Sequence, residues 1–223
     1  MSAITDVKAI QRILGTVPDG IAGEKTEAAW DDLVGRATRE RQGGATASVI
    51  KVCVDAGHGL SNRSPGVYDP GCVHGALEEA EICLTWAAAL AGALAARSVA
   101  TFLTRPTKET SAPVGTRDDR AKAAGCTHLI SIHVNDADSA QAHGTETLYR
   151  DDQYFAGRVH SAAADGLKLT NRGLKHRTDL AVLNFPKSCL LELGFIQSAA
   201  DRERFLDAAV RKETCRLIAA SLG

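Results

Sequence analysis

Two histidines and a glutamate stand where short apolar runs give out. Val52–Gly59 (VCVDAGHG) runs into His58 between two glycines, Leu129–His133 (LISIH) ends on His133, and Cys189–Gly194 (CLLELG) carries Glu192. Imidazole nitrogen and carboxylate oxygen both suit Zn²⁺, and a catalytic zinc takes three protein ligands while leaving a fourth position open. His58 and His133 supply two such ligands. The third is expected from the acidic run at the start of the next helix, where Glu78, Glu79 and Glu81 all stand. The same carboxylates are also what a helix N-terminus favours, so residue type leaves the choice open. Glu192 is enclosed by leucines. A carboxylate there is costly unless it has a partner or a role, and burial raises its proton affinity, as a general acid or base requires. Together these residues point to a metal-dependent hydrolase.

The remaining histidines fit less well. His128 has the opposite strand parity to His133 and faces the other side of the sheet. His160 falls in mid-helix and reads as a surface residue. His74 and His143 fall in loops and stay open as ligands or substrate contacts. Competing motifs are absent from the sequence: it has no H-E-x-x-H and no G-x-S-x-G, and no G-K-[ST] follows the glycines around His58.

The elements that must position these residues alternate. Strands are expected at 49–55, 99–103, 128–133, 144–149, 180–183 and 188–193, with helices at 79–97, 117–124, 153–167 and 199–222. This alternation predicts an α/β fold: a mostly parallel twisted sheet with helices on both faces. In open sheets of this kind, sites form at the carboxyl ends of the strands. The polar, glycine-containing stretch 37–48 reads as a linker. It separates a small N-terminal helical module (1–36) from the catalytic domain (49–223).

Composition agrees with a globular enzyme. Of 223 residues, 44% are hydrophobic and 24% charged. The net charge of −1 gives no general electrostatic case for nucleic acid. The apolar run 82–96 is shorter than the ~20 residues of a membrane span and reads as a buried, Ala-rich helix, so no membrane insertion is expected. Six cysteines without a C-x-x-C pair read as free thiols of a protein made in a reducing compartment. The first residues show no secretory signal.

Taken together, the motifs resemble the zinc-dependent N-acetylmuramoyl-L-alanine amidases of the type-3 class, found among bacterial cell-wall hydrolases and phage endolysins. Asp55–Gly59 (DAGHG) is similar to the family's D-P-G-H-G, with Ala56 for proline. Glu79–Leu84 (EAEICL) is similar to E-K-x-x-N-L, with Cys83 for asparagine. Ser131–Asn135 (SIHVN) matches S-I-H-x-N, and Gly144–Glu146 matches G-x-E. Asn171–Gly173 (NRG) and Leu191–Ile196 (LELGFI) match the closing motifs, with Gln197-Ser198 where S-N is common. Thr104-Arg105 and Arg117 occupy the expected places between them. In the N-terminal module, Ala9–Gly15 (AIQRILG) and Asp19–Ala29 (DGIAGEKTEAA) resemble a peptidoglycan-binding module that lacks its third helix.

The resemblance implies one Zn²⁺ per chain held by His58, Glu79 and His133, and so selects Glu79 from the three glutamates. It implies Glu192 as the catalytic acid/base. It further implies peptidoglycan as partner and hydrolysis of the amide between N-acetylmuramic acid and L-alanine of the stem peptide, in an endolysin-like enzyme. Such a protein would be made in the cytoplasm without a signal peptide and act on the cell wall after release. Two alternatives stand beside it: a zinc peptidase cutting within the stem peptide, and a non-catalytic wall-binding protein. Nothing in the sequence fixes the oligomeric state.

Overall fold

The computed structural model describes residues 50–222, except 138 and 140. The expected N-terminal module and linker lie outside the described residues. The domain is built on a six-stranded sheet of order β6-β1-β7-β10-β8-β9. These strands are β1 (Lys51–Ala56), β6 (Ala100–Leu103), β7 (His128–Asn135), β8 (Thr145–Tyr149), β9 (Asn171–His176) and β10 (Ser188–Phe195). β6, β1, β7 and β10 are mutually parallel; β8 runs antiparallel to β10, and β9 is parallel to β8. Two short ribbons, β2–β3 (Gly59–Leu60 with Tyr68–Asp69) and β4–β5 (Val73–His74 with Leu77–Glu78), fill the loop after β1.

Helices cover both faces, unequally. The larger core lies under α1 (Glu79–Ala95), α3 (Gln153–Leu167) and α5 (Ala208–Ser221). The smaller lies under α2 (Arg117–Ala123) and a 3-10 turn at Ala181–Asn184, where Cys53, Leu129 and Leu190 meet Val182, Leu183 and Phe185. The central strands are apolar on both sides for this reason: even-numbered residues of β7 (Ile130, Ile132, Val134) face the larger core, and Leu129 faces the smaller. α1 buries Ile82, Cys83, Trp86, Leu90 and Leu94 at helical spacing, as its Ala-rich sequence led us to expect. Trp86 also donates Nε1–H to the Phe205 carbonyl at 2.9 Å, tying α1 to α4 (Ala199–Leu206).

Two expectations fail, and one strand of the sheet was not foreseen. The apolar run 180–183 forms the 3-10 turn rather than a strand, since four apolar residues cannot by themselves distinguish the two. The closing helix is two helices, because Asp207 leaves helical geometry and its carboxylate caps the Ala209 and Val210 N–H groups of α5. β9 is an additional strand at the sheet edge, and four of its six residues are exposed.

Chain direction decides where a site can form. From β1 the chain leaves through α1 to β6 on one side, while from β7 it leaves toward β8 on the other. The connections therefore diverge between β1 and β7, and a crevice opens at their carboxyl ends.

Candidate metal and acid/base site

His58 follows β1 across that crevice from His133, near the end of β7. Its backbone is left-handed (φ +58°), a conformation that costs a residue with a Cβ about 1–2 kcal/mol and has to be held from outside. Arg117 holds it. This buried guanidinium donates to the carbonyls of Ala56 (2.6 Å), His58 (2.7 Å) and Ala112 (2.9 Å), and to Asn62 Oδ1 (3.1 Å). It also pairs with Asp55 at 2.7 Å. Asp55 further accepts from Ser131 Oγ at 2.6 Å and from the Thr104 hydroxyl. Burial opposes ionisation of Asp55, yet Arg117 and the two hydroxyls outweigh it and hold the carboxyl below its usual range.

Glu79 opens α1, whose first N–H groups are satisfied by the preceding loop: Glu79 N donates to Cys72 O (3.0 Å) and Ala80 N to Pro70 O (2.9 Å). The side chain then turns into the crevice. Oε1 meets His133 Nδ1 at 2.9 Å and accepts from Val134 N at 3.0 Å; Oε2 meets His58 Nε2 at 3.1 Å and accepts from Cys72 N at 3.0 Å. Burial would raise its pKa, but the two imidazoles hold it far below the carboxylate range. Glu78 and Glu81 are occupied elsewhere. Tyr68 Oη donates to both, at 3.2 and 2.8 Å, and Lys108 pairs with Glu81 at 3.1 Å. Of the three glutamates, Glu79 is the one whose carboxylate lies beside both imidazoles.

Potential ligand atoms of His58, Glu79 and His133 all lie within 4.8 Å of one another. The other nitrogen of His58, Nδ1, faces Asp69 Oδ2 at 3.1 Å, an orienting carboxylate of the kind that fixes metal-ligating histidines. Asp69 is itself held by Asn62 Nδ2 (2.6 Å) and the Gly71 N–H (3.0 Å). Two glycines keep the space open. A Cβ on Gly57 would strike the His133 ring, and one on Gly71 would strike Glu79 Oε2 and His58 Cδ2. The donor set and this clearance suit a small cation bound by nitrogen and oxygen.

Glu192 pairs in register with His133 on β7 and with Glu146 on β8, so the three side chains line one face across adjacent strands. A register shift follows between Glu192 and Phe195, where β10 gives two steps of β7 three residues. Asp201 closes that irregularity by accepting from Phe195 N and Gly144 N, each at 2.8 Å. Glu192 is partly exposed as a residue, but its Oε2 is sealed from solvent and has no hydrogen-bond partner among the described residues. Burial first, then the charges of Glu79 and Glu146, push its pKa well above the usual range.

The other histidines are elsewhere. His128 packs on Phe155 in the larger core (ring centroids 4.9 Å apart) and is pushed down to about 4, by burial first and then by Lys187. His160 is buried, contrary to expectation: Thr147 Oγ1 at 3.0 Å and Asn171 Oδ1 at 2.8 Å satisfy its two nitrogens. His74 binds Gln197 and His143 binds the Gln141 carbonyl, and neither joins the cluster. Sequence reasoning assigned no role to Asp69, whose only prior signal was its acidic type in a glycine- and proline-bearing loop.

At the carboxyl ends of a mostly parallel α/β sheet stands a His/Glu/His cluster that could hold a metal ion, with a sealed carboxylate beside it. Residues 52–223 match the Amidase_3 family, described as N-acetylmuramoyl-L-alanine amidase, and the chain belongs to that family. It is 26% identical over 175 residues to the N-acetylmuramoyl-L-alanine amidase LytC of Bacillus subtilis (strain 168); the match takes in 75% of this chain but spans about a third (34%) of that relative. Among solved structures, the catalytic domain of CwlV, an N-acetylmuramoyl-L-alanine amidase from Bacillus (Paenibacillus) polymyxa var. colistinus, aligns with a TM-score of 0.69 at 25% identity, covering 78% of this chain and 96% of that one. The catalytic domain of the CD27L endolysin targeting Clostridia difficile aligns with a TM-score of 0.63 at 22% identity, covering 78% and 96%, a likeness of fold.

Proposed function

We propose that this chain hydrolyses the amide between N-acetylmuramic acid and L-alanine of the peptidoglycan stem peptide, with His58, Glu79 and His133 holding one Zn²⁺ and Glu192 acting as general base and then general acid. The observation that carries this reading is the convergence of the three ligand side chains within 4.8 Å, with Glu192 in register beside His133. Zn²⁺ bound there supplies Lewis acidity toward the scissile carbonyl and acidifies water. The protein's own groups do the rest. Asp69 fixes the His58 ring through Nδ1, leaving Nε2 for the metal. Glu192 takes a proton from the attacking water and passes it to the departing amine, a task suited to a carboxyl of raised proton affinity.

The family match and the wall amidases among the relatives support the substrate class. The six free cysteines fit synthesis in a reducing compartment, followed by release to the wall as an endolysin would require. The peptidoglycan-binding-like motif at 9–29 fits a wall-anchoring role for the N-terminal segment.

The test combines metal content with fragment mass. Purified protein should carry one zinc per chain, and His58→Ala and His133→Ala should each lose it. Glu192→Ala should keep zinc and release no stem peptides, whereas the unaltered protein frees intact peptides bearing an L-alanine amine. Zinc content unchanged in both histidine variants, or fragments cut within the stem, would overturn the reading.

A further inference from the structure

The row that runs His133, Glu192, Glu146 across three strands ends on a cation. Arg172, on edge strand β9, donates Nε–H to Glu146 Oε2 at 2.7 Å. Its guanidinium lies over the Phe195 ring, 4.8 Å from the centroid. Asn135, two residues beyond His133 on the same strand, holds the other oxygen of Glu146 at 3.0 Å. The arginine is therefore fixed at its base by an ion pair and along its face by an aromatic ring. Yet its side chain is 36% exposed. Here Nε–H is spent on Glu146, and the terminal donors have no acceptor among the described residues.

We infer that Arg172 is a substrate-binding residue that clamps a carboxylate of the stem peptide just beyond the scissile amide. This rests on the amidase reading and adds a specificity to it. The spacing agrees. Strands lie about 4.8 Å apart, so the Glu146 backbone is roughly 10 Å from that of His133. The second stem residue begins one residue past the L-alanine, and two extended residues span roughly 7 Å. A scissile carbonyl held near His133 and Glu192 thus brings the α-carboxylate of an acidic second residue within reach of the fork. The complementary chemistry is a planar anion accepting two parallel N–H bonds, which a neutral carboxamide at that position cannot reproduce.

The test is calorimetric binding of two γ-blocked dipeptides to the zinc-loaded protein: L-alanyl-D-glutamate γ-methylamide, which keeps only the α-carboxylate, and its α-carboxamide, L-alanyl-D-isoglutamine γ-methylamide. The acid should bind about 10-fold more tightly than the amide. In Arg172→Gln, which can still donate to Glu146 but carries no charge, the two affinities should fall within about twofold of each other. Arg172→Lys should restore part of the preference. Thermal midpoints of both variants report whether the Glu146 pairing, and with it the fold, survives. Equal binding of the two dipeptides by the unaltered protein, no binding of either, or a preference kept in Arg172→Gln would each overturn the inference. Release of the dipeptide from a muramyl dipeptide is scored separately. Turnover without the acid preference sinks the clamp alone, and preference without turnover sinks the amidase reading alone.

Discussion

Two carboxylates sit in the same sheet, on β1 and β10, and are treated in opposite ways. Asp55 is surrounded: one guanidinium and two hydroxyls satisfy it, and it stays ionised despite complete burial. Glu192 is sealed at Oε2 with no hydrogen-bond partner among the described residues, and burial, then the charges of Glu79 and Glu146, make it hold its proton tightly. The first arrangement is how a fold retains a buried charge, and the second is how a site keeps a proton available for transfer. A carboxyl that is costly to bury and left unpartnered marks function more sharply than one that is costly and compensated.

The contrast can be broken by exchanging what each carboxylate loses. Glu192→Gln removes the proton acceptor and should lower wall-lytic turnover about 10²–10⁴-fold, measured as stem-peptide release, while the thermal midpoint holds or rises. Asp55→Ala should do the reverse. It strands Arg117 in the core and should cost about 3–5 kcal/mol of stability in urea unfolding, with the loss of activity tracking the loss of folded protein. If instead Asp55→Ala stayed fully stable, the division between structural and chemical carboxylate would collapse.

pH sharpens the same distinction. Asp55 is depressed in the folded state, so its contribution is present above the ordinary Asp value of about 3.9 and disappears as pH falls below it. Glu192 is raised, so its contribution is complete below the ordinary Glu value of about 4.3 and is lost as pH climbs through the higher folded value. In chelated protein, stability measured from pH 5 upward should decline in the unaltered chain and decline less in Glu192→Gln. A smaller effect is expected one step out from the ligands: Asp69→Asn should weaken zinc binding about 10–100-fold by competition with a chromogenic chelator, with little change in unfolding. The smallest belongs to Arg63, whose contact with Asp69 is at the surface. Arg63→Ala should change stability by no more than about 0.5 kcal/mol.

Much of this frame was legible in the chain because its signals are local. β1, β7 and β10 are apolar runs that stop at a chemistry-bearing residue, and α3 falls at 153–167 as expected because Asp152 caps the Phe155 N–H. What escaped depends on partners in other elements of the fold. β9 (NRGLKH) lacks an apolar stripe because it is an edge strand, and only its pairing with β8 makes it one. His160 reads as a surface residue until Thr147 and Asn171 arrive to satisfy it. Among three adjacent glutamates, residue type could not choose; only the motif resemblance, and then the contacts of Tyr68 and Lys108 with Glu78 and Glu81, separate Glu79 from its neighbours.

Gly57 carries a consequence of its own. The His133 imidazole rests where any side chain at position 57 would begin. Even the smallest exchange, Gly57→Ala, would swing that ring aside and spoil the cluster without altering one of its donors. A search for inactive variants confined to the residues that could touch a cation would overlook this position, although a single methyl group there would displace one of the two imidazoles.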